Sequence, residues 1–338
     1  MTVIYNEEDN KTFGRKRNRW FREANELTRV YHTLIYQAEG SLYDRFFKRR
    51  EISQDIVFCA RNYHEAVQNR YIWLKGEKDN GERYHYFIEY TERFQKKYIK
   101  QQIIKLNRAF KGLEIKKNMF FVTLTIDPSL FYSIYDSYKE SQKNVNSLLT
   151  LLRKRYGSTF RYIKVAEIQE ENTKNIHYHL VISLRSDVME WNIVSEKEFR
   201  EIIKKYWKIG FSDIQLVKET KKNGLKHYVM KYLFKSMLSK TNSISENHAI
   251  LWALNARIFS FTNIKRWREQ NDLITAEGGK NNSNEELDPD DNIIWEYMGL
   301  VDHQNLGIMP GLYAEKNLSA EVLTFLYNSM YYKNNDNG

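Results

Sequence analysis

Apolar and polar positions repeat along this chain with two different periods. From Arg93 to Lys117, Phe94, Tyr98, Gln102, Leu106, Phe110 and Leu113 recur three and four apart. That spacing predicts a helix packing by an aromatic stripe, with Lys96, Lys97, Lys100, Lys105, Arg108 and Lys111 on its remaining surface and Gly112 at its end. A continuous β-branched and aromatic run follows, Met119-Phe120-Phe121-Val122-Thr123-Leu124-Thr125-Ile126, stopped by Asp127-Pro128, and predicts a central strand with Thr123 and Thr125 on one face. Residues 138–156, with Val145, Leu148, Leu149, Leu151 and Leu152, return to helical spacing. Phe160 to Gln169 and the run around Ile176 to Ile182 read as strands joined by the polar turn Glu170 to Asn175, hence a hairpin. Helices are expected over 195–208 and again from about Leu225, with a strand from Phe211 to Val217 between them.

The flanks are plainer. Residues 1–114 read as a mostly helical basic region, with Tyr84, Tyr86 and Phe87 marking a short extended piece. Its start carries Arg15, Lys16, Arg17, Arg19 and Arg22 around Trp20 and Phe21. Such a cluster suits a nucleic-acid arm and equally a solvated helix face. Residues 241–274 form an aromatic and basic extension, 275–292 a Gly/Asn/Asp-rich flexible linker, and 293–338 a small helical segment with Leu318 to Tyr331 amphipathic.

Composition narrows the function classes. The chain has 338 residues, a net charge of +10 and 14% aromatic residues, a globular content with a basic excess that favours a polyanionic partner. A single cysteine, Cys59, excludes an internal disulfide and a cysteine-based zinc site. No apolar stretch of signal-peptide or membrane-spanning length occurs, so a soluble, cytoplasmic protein without membrane partners is expected. No Gly-x-x-x-x-Gly-Lys-Ser/Thr stretch is present, which leaves unwinding of any duplex to a separate enzyme.

Two stretches carry candidate chemistry. In a strand, His177 and His179 point the same way and Tyr178 the other. Two adjacent imidazoles can hold a divalent metal. Across the hairpin either Glu167 or Gln169 falls on their face, and a carboxylate or amide oxygen there makes a three-ligand site suited to Mg²⁺ or Mn²⁺ taken with a phosphate. Glu167 is preferred, because a carboxylate binds a hard cation better. The second stretch repeats a Tyr-aliphatic-x-Lys unit at 228–231 and 232–235, placing Tyr228 and Tyr232 one turn apart and Lys231 and Lys235 likewise. A phenol titrating near ~10 is a poor nucleophile at neutral pH. Neighbouring cations stabilise its phenolate and the charge on a transferred phosphoryl group.

Taken in order, Phe121-Val122-Thr123-Leu124-Thr125, His177-Tyr178-His179 and Tyr228-Val229-Met230-Lys231-Tyr232-Leu233-Phe234-Lys235 resemble the three motifs of the HUH superfamily, in particular the rolling-circle replication initiators of plasmids and phages. The resemblance covers roughly residues 115–240. It implies an α+β fold, a central antiparallel sheet flanked by helices with helical amino- and carboxyl-terminal extensions. It also implies metal-dependent nicking and rejoining of single-stranded DNA at an origin. His177, His179 and Glu167 or Gln169 would hold the metal, Tyr228 or Tyr232 would form a 5′-phosphotyrosine, and Lys231 and Lys235 would position phosphate or phenolate. The loop before His177 is longer than the family's usual hairpin, which leaves the third ligand open. A host helicase and polymerase are the implied partners. A two-tyrosine transposase or relaxase keeps the chemistry and changes the biology, and a non-catalytic DNA-binding protein is the reading from another class.

Overall fold

The computed structural model describes residues 26–38, 40–46, 54–113, 119–157, 160–169, 174–184, 195–217, 222–237, 244–262 and 293–335. The Arg15–Arg22 cluster, the 275–292 stretch and the basic residues Lys265, Arg266 and Arg268 lie outside them. The helices are α1 (Glu26–Gln37), α2 (Gln54–Val67), α3 (Lys96–Gly112), α4 (Ile134–Tyr156), α5 (Glu196–Tyr206), α6 (Lys222–Met237), α7 (Glu246–Ala253), α8 (His303–Leu306) and α9 (Ala320–Asn335). The strands are β1 (Arg70–Glu77), β2 (Arg83–Glu89), β3 (Met119–Ile126), β4 (Phe160–Ile168), β5 (Ile176–Leu184), β6 (Gly210–Leu216), β7 (Phe259–Phe261), β8 (Ile294–Asp302) and β9 (Gly311–Ala314). The expected α+β class holds, with two antiparallel sheets in two compact units.

The larger unit takes in His32–Asn62 and Lys96–Glu277. Its sheet runs β6-β3-β5-β4-β7, every pairing antiparallel, so the histidine strand β5 is the middle one. Tyr178, Leu180 and Ile182 of β5 and Phe120, Val122 and Leu124 of β3 share one buried face. Against it α4 brings Ser141, whose hydroxyl lies 3.0 Å from that of Tyr178, and α5 brings Phe199, stacked on Phe120 at 4.2 Å. Burying these apolar side chains supplies the unit's main driving force. Helix α4 starts at Ile134, a turn before the spacing of its leucines predicts. Ser133 caps it by accepting from the Asp136 amide, and Gly157, at φ 59°, ends it.

Asn175 fixes the hairpin. It is fully buried at the entrance to β5, where its Oδ1 accepts from the Ser137 hydroxyl at 2.9 Å and its Nδ2 donates to the Ile126 carbonyl at 3.3 Å. The Gln169 amide closes the loop onto the Asn175 carbonyl. Register is thereby set at Glu167 opposite His177 and Val165 opposite His179. A further close approach occurs at Gly210, where β6 begins. A Cβ there would collide with the Thr125 carbonyl, so only glycine lets β6 lie against β3.

Two sequence expectations change here. The core sheet extends past residue 240, because β7 adds to β4 through Val165 opposite Phe259 and Ile163 opposite Phe261. The carboxyl-terminal segment 293–338 is not simply helical. The smaller unit (Met1–Tyr31, Tyr63–Gln95 and Gly278–Gly338) has a sheet of order β8-β1-β2-β9, in which late strands flank an early hairpin. The extended piece expected at Tyr84, Tyr86 and Phe87 is β2, and its partner β1 was not expected. Leu318, Val322 and Leu326 cover Tyr71, Trp73, Phe87 and Val301, so the amphipathic segment around α9 is real and packs on a sheet. Inside this unit the Trp73 indole donates to Nδ1 of buried His85 at 2.9 Å, which directs the Nε2 proton to Glu315, also at 2.9 Å.

Candidate active site

The pleat of β5 turns His177 and His179 away from the α4 face. Cross-strand pairing then decides their company. On β3, Thr125 lies opposite His177 and Thr123 opposite His179; on β4, Glu167 lies opposite His177. Helix α6 packs over β4 on this side.

The Glu167 carboxylate leans along the strand to His179, Oε2 lying 2.7 Å from Nε2. Its other oxygen, Oε1, pairs with Nζ of Lys235 at 2.8 Å. Gln169 reaches His177, with its Oε1 3.1 Å from Nε2. With the Nε2 proton of His179 aimed at Glu167, Nδ1 accepts from the Thr123 hydroxyl at 3.3 Å. Glu167, His177 and His179 each offer a ligand atom, all within 4.8 Å of one another, and this cluster could hold a metal ion. Both candidates for the third ligand are therefore at the site, Glu167 on His179 and Gln169 on His177.

The electrostatics keep this donor set in its ligating form. Burial pushes the His177 imidazole down to about 4, and repulsion from His179 and Lys235 adds to that against a partial pull from Glu167. The ring is neutral at neutral pH. Burial alone would raise the Glu167 carboxyl. Hydrogen bonds from His179 and Lys235, with their charge, outweigh it and hold the group below the ordinary carboxylate range. An ionised carboxylate beside a neutral imidazole is what a hard divalent cation requires.

The tyrosine helix lies on this cluster. The ring of Tyr232 stacks on that of His179, centroids 3.6 Å apart and planes 16° from parallel, and Phe121 lies parallel to the same imidazole at 5.9 Å. Of the four residues expected on α6, Tyr232 and Lys235 come to the histidines, and Lys231 is exposed. Tyr228 is on the helix one turn before Tyr232, and its side chain lies outside the described residues. Lys235 holds a carboxylate here, where the sequence suggested phosphate or phenolate. Thr123 was legible as a strand residue on the right face, but nothing in its spacing marked it as the partner of His179.

The fold and site define an α+β protein whose antiparallel sheet carries a Glu/His/His cluster under a tyrosine-bearing helix. Over the same residues the chain is similar to known replication proteins: 119–237 match the family model of the ORF2-type replication-associated proteins. The phasyl DNA replicon protein arp of Escherichia coli is 29% identical over 156 residues, which is 41% of this chain and 51% of that protein. The chain spans about half the length of this curated relative. No solved structure gives a significant match. The resemblance to replication initiators drawn from the three motifs is borne out over this segment. Among the described residues no helix is long and apolar enough to cross a membrane.

Proposed function

We propose that this protein initiates rolling-circle replication by nicking one strand of DNA at an origin and later rejoining it, with Tyr232 as the attacking nucleophile. The observation that carries the reading is the contact of the Tyr232 ring with His179, which brings a phenol to the only Glu/His/His cluster found among the described residues. The match of 119–237 to a replication-associated family supports the biological setting.

Glu167, His177 and His179 would hold the divalent cation, Mg²⁺ or Mn²⁺, which when bound polarises the scissile phosphate and offsets its charge. Gln169 orients His177 and Thr123 orients His179, the supporting contacts such ligands need. Lys235 leaves Glu167 when a cation takes over that carboxylate, and its ammonium then faces the phenolate and the phosphoryl oxygens. In the reaction the Tyr232 oxygen bonds to phosphorus and the bond from phosphorus to the 3′-oxygen breaks. The proton lost by the phenol is balanced by the one the 3′-oxygen takes up. The strand end stays attached as a 5′-phosphotyrosine, and the free 3′-hydroxyl is a primer for a host polymerase, with a host helicase opening the duplex. Because the ester bond energy is retained, attack by a 3′-hydroxyl reverses the step and rejoins the strand. Tyr228, one turn away on the same helix, is the acceptor for a second cut, and exposed Lys231 contacts the DNA backbone.

The test uses a labelled single-stranded oligonucleotide carrying the origin of the element that encodes the protein, with Mn²⁺. A covalent adduct that survives denaturation and disappears in Tyr232→Phe supports the reading. An adduct unchanged in both Tyr232→Phe and the Tyr228→Phe/Tyr232→Phe double variant refutes it.

A further inference from the structure

The strand register brings one more residue to this site. Thr125 of β3 lies opposite His177 on one side and opposite Phe211 of β6 on the other. Phe211, Thr125, His177 and Glu167 thus form one row across four strands, all on the face that carries the cluster. Two strand spacings separate Phe211 from His177, about 10 Å. Over β4 this face is covered by α6, whereas over β3 and β6 it is open. Thr123 and Thr125 are half-buried, and Phe211, Asp213 and Gln215 are exposed, Phe211 to 70%. The aromatic position is held from beneath, because Gly210 and the Trp207 indole both close on the Thr125 carbonyl, the indole at 3.0 Å.

We infer that Phe211 is a stacking platform for a nucleobase of single-stranded DNA, one or two nucleotides from the phosphate at the Glu167–His177–His179 cluster. The inference rests on the proposed function and specifies how its substrate is held. Charge decides which part of a nucleotide lands there. Asp213 is the next residue of β6 on the same face, its carboxylate held by the Gln215 amide at 2.8 Å, and it repels phosphate. A benzene ring beside an acid offers nothing to the backbone and a flat apolar face to a base. A stacked base contributes about 1–3 kcal/mol, equivalent to roughly 5- to 150-fold in affinity. Because every base has such a face, the subsite positions the strand without reading its sequence.

Photochemical cross-linking tests this directly. Single-stranded DNA of mixed sequence containing 5-iodouracil is bound in EDTA, so that no cleavage intervenes, and irradiated. Attachment at the peptide carrying Phe211 is expected. Phe211→Leu, which keeps an apolar side chain and removes the ring, should weaken binding of the same DNA at least about 5-fold. Phe211→Trp should restore it, and both variants should melt with the wild type. Wild-type affinity in Phe211→Leu with no cross-link near residue 211 overturns the inference. So does a loss of self-association in that variant at unchanged DNA affinity, which would make the ring a contact between copies. Adduct formation with Mn²⁺ is scored separately. Cross-linking at Phe211 without any adduct would remove the nicking reaction and leave the platform, and adduct formation with an indifferent Phe211 would do the reverse.

Discussion

Tyr232 lies flat on His179, ring on ring at 3.6 Å, so the proposed nucleophile and a proposed metal ligand are in van der Waals contact before any substrate arrives. The two functions of that side chain can be separated. Tyr232→Phe keeps the stack and removes only the hydroxyl. Adduct formation should fall by at least about 10³-fold, with DNA affinity and thermal midpoint unchanged. Tyr232→Ala should in addition lower stability by about 1 kcal/mol through loss of the aromatic pair, measurable by urea unfolding.

Lys235 competes with a metal for Glu167. Replacing it with Met should therefore tighten Mn²⁺ binding several-fold in calorimetric titration, because the carboxylate no longer has to be released from an ammonium. The same variant should nick more slowly, since the charge facing the phenolate is gone. Tighter binding with slower turnover distinguishes this arrangement from one in which Lys235 merely supports the fold.

Metal removal gives a third expectation. Mn²⁺ at about 100 times its dissociation constant should stabilise the folded protein by about 2.7 kcal/mol relative to EDTA. His177→Ala, His179→Ala and Glu167→Gln should each abolish most of that increment. Salt-sensitive binding of DNA should persist in all three, because basic side chains contacting phosphate supply most of it.

Acid should destabilise the metal-free protein in two stages. The folded-state value of His177 is depressed to about 4. As pH falls from about 6.5 the unfolded chain takes a proton that the folded ring refuses, and stability drops until about pH 4. Allowing for solvent screening of a half-buried ring, the loss is on the order of 2 kcal/mol. Glu167 is depressed as well, so its contribution is present above the ordinary carboxylate range and is lost as pH falls through its lower folded value. Urea midpoints measured against pH should show both, and His177→Gln should remove the upper stage alone.

Asn175 carries a prediction about the fold rather than the chemistry. Asn175→Ala leaves the Ser137 hydroxyl and the Ile126 carbonyl without this partner in a buried place, which should cost about 1–3 kcal/mol of stability. It should also loosen the β4–β5 register, visible as faster amide exchange at Glu167 and His177.

The site was legible where its residues lie close in sequence and follow one period. The β-branched runs of β3, β4 and β5 announce strands, alternation puts His177 and His179 together, and a hairpin of either register brings Glu167 or Gln169 to them. The four-residue repeat likewise set Tyr232 and Lys235 on one helix. What could not be read is set by long-range pairing. Nothing local says that Phe211 shares a row with His177, since that depends on β6 adding beside β3, or that Arg70 pairs with Asp302. The polar loop residue Asn175 resembles its neighbours in sequence, and only the helix and strand ends closing round it give it a structural role.

That distant pairing has a consequence for how the protein is made. The hairpin of β1 and β2 leaves the ribosome early, but the strands that cover its two edges are translated only after the whole larger unit. Until then both rims, with Trp73 and Phe87 between them, are exposed to other nascent chains. A polypeptide stopped before Ile294 should therefore hold a competent metal cluster and yet aggregate through its amino-terminal third.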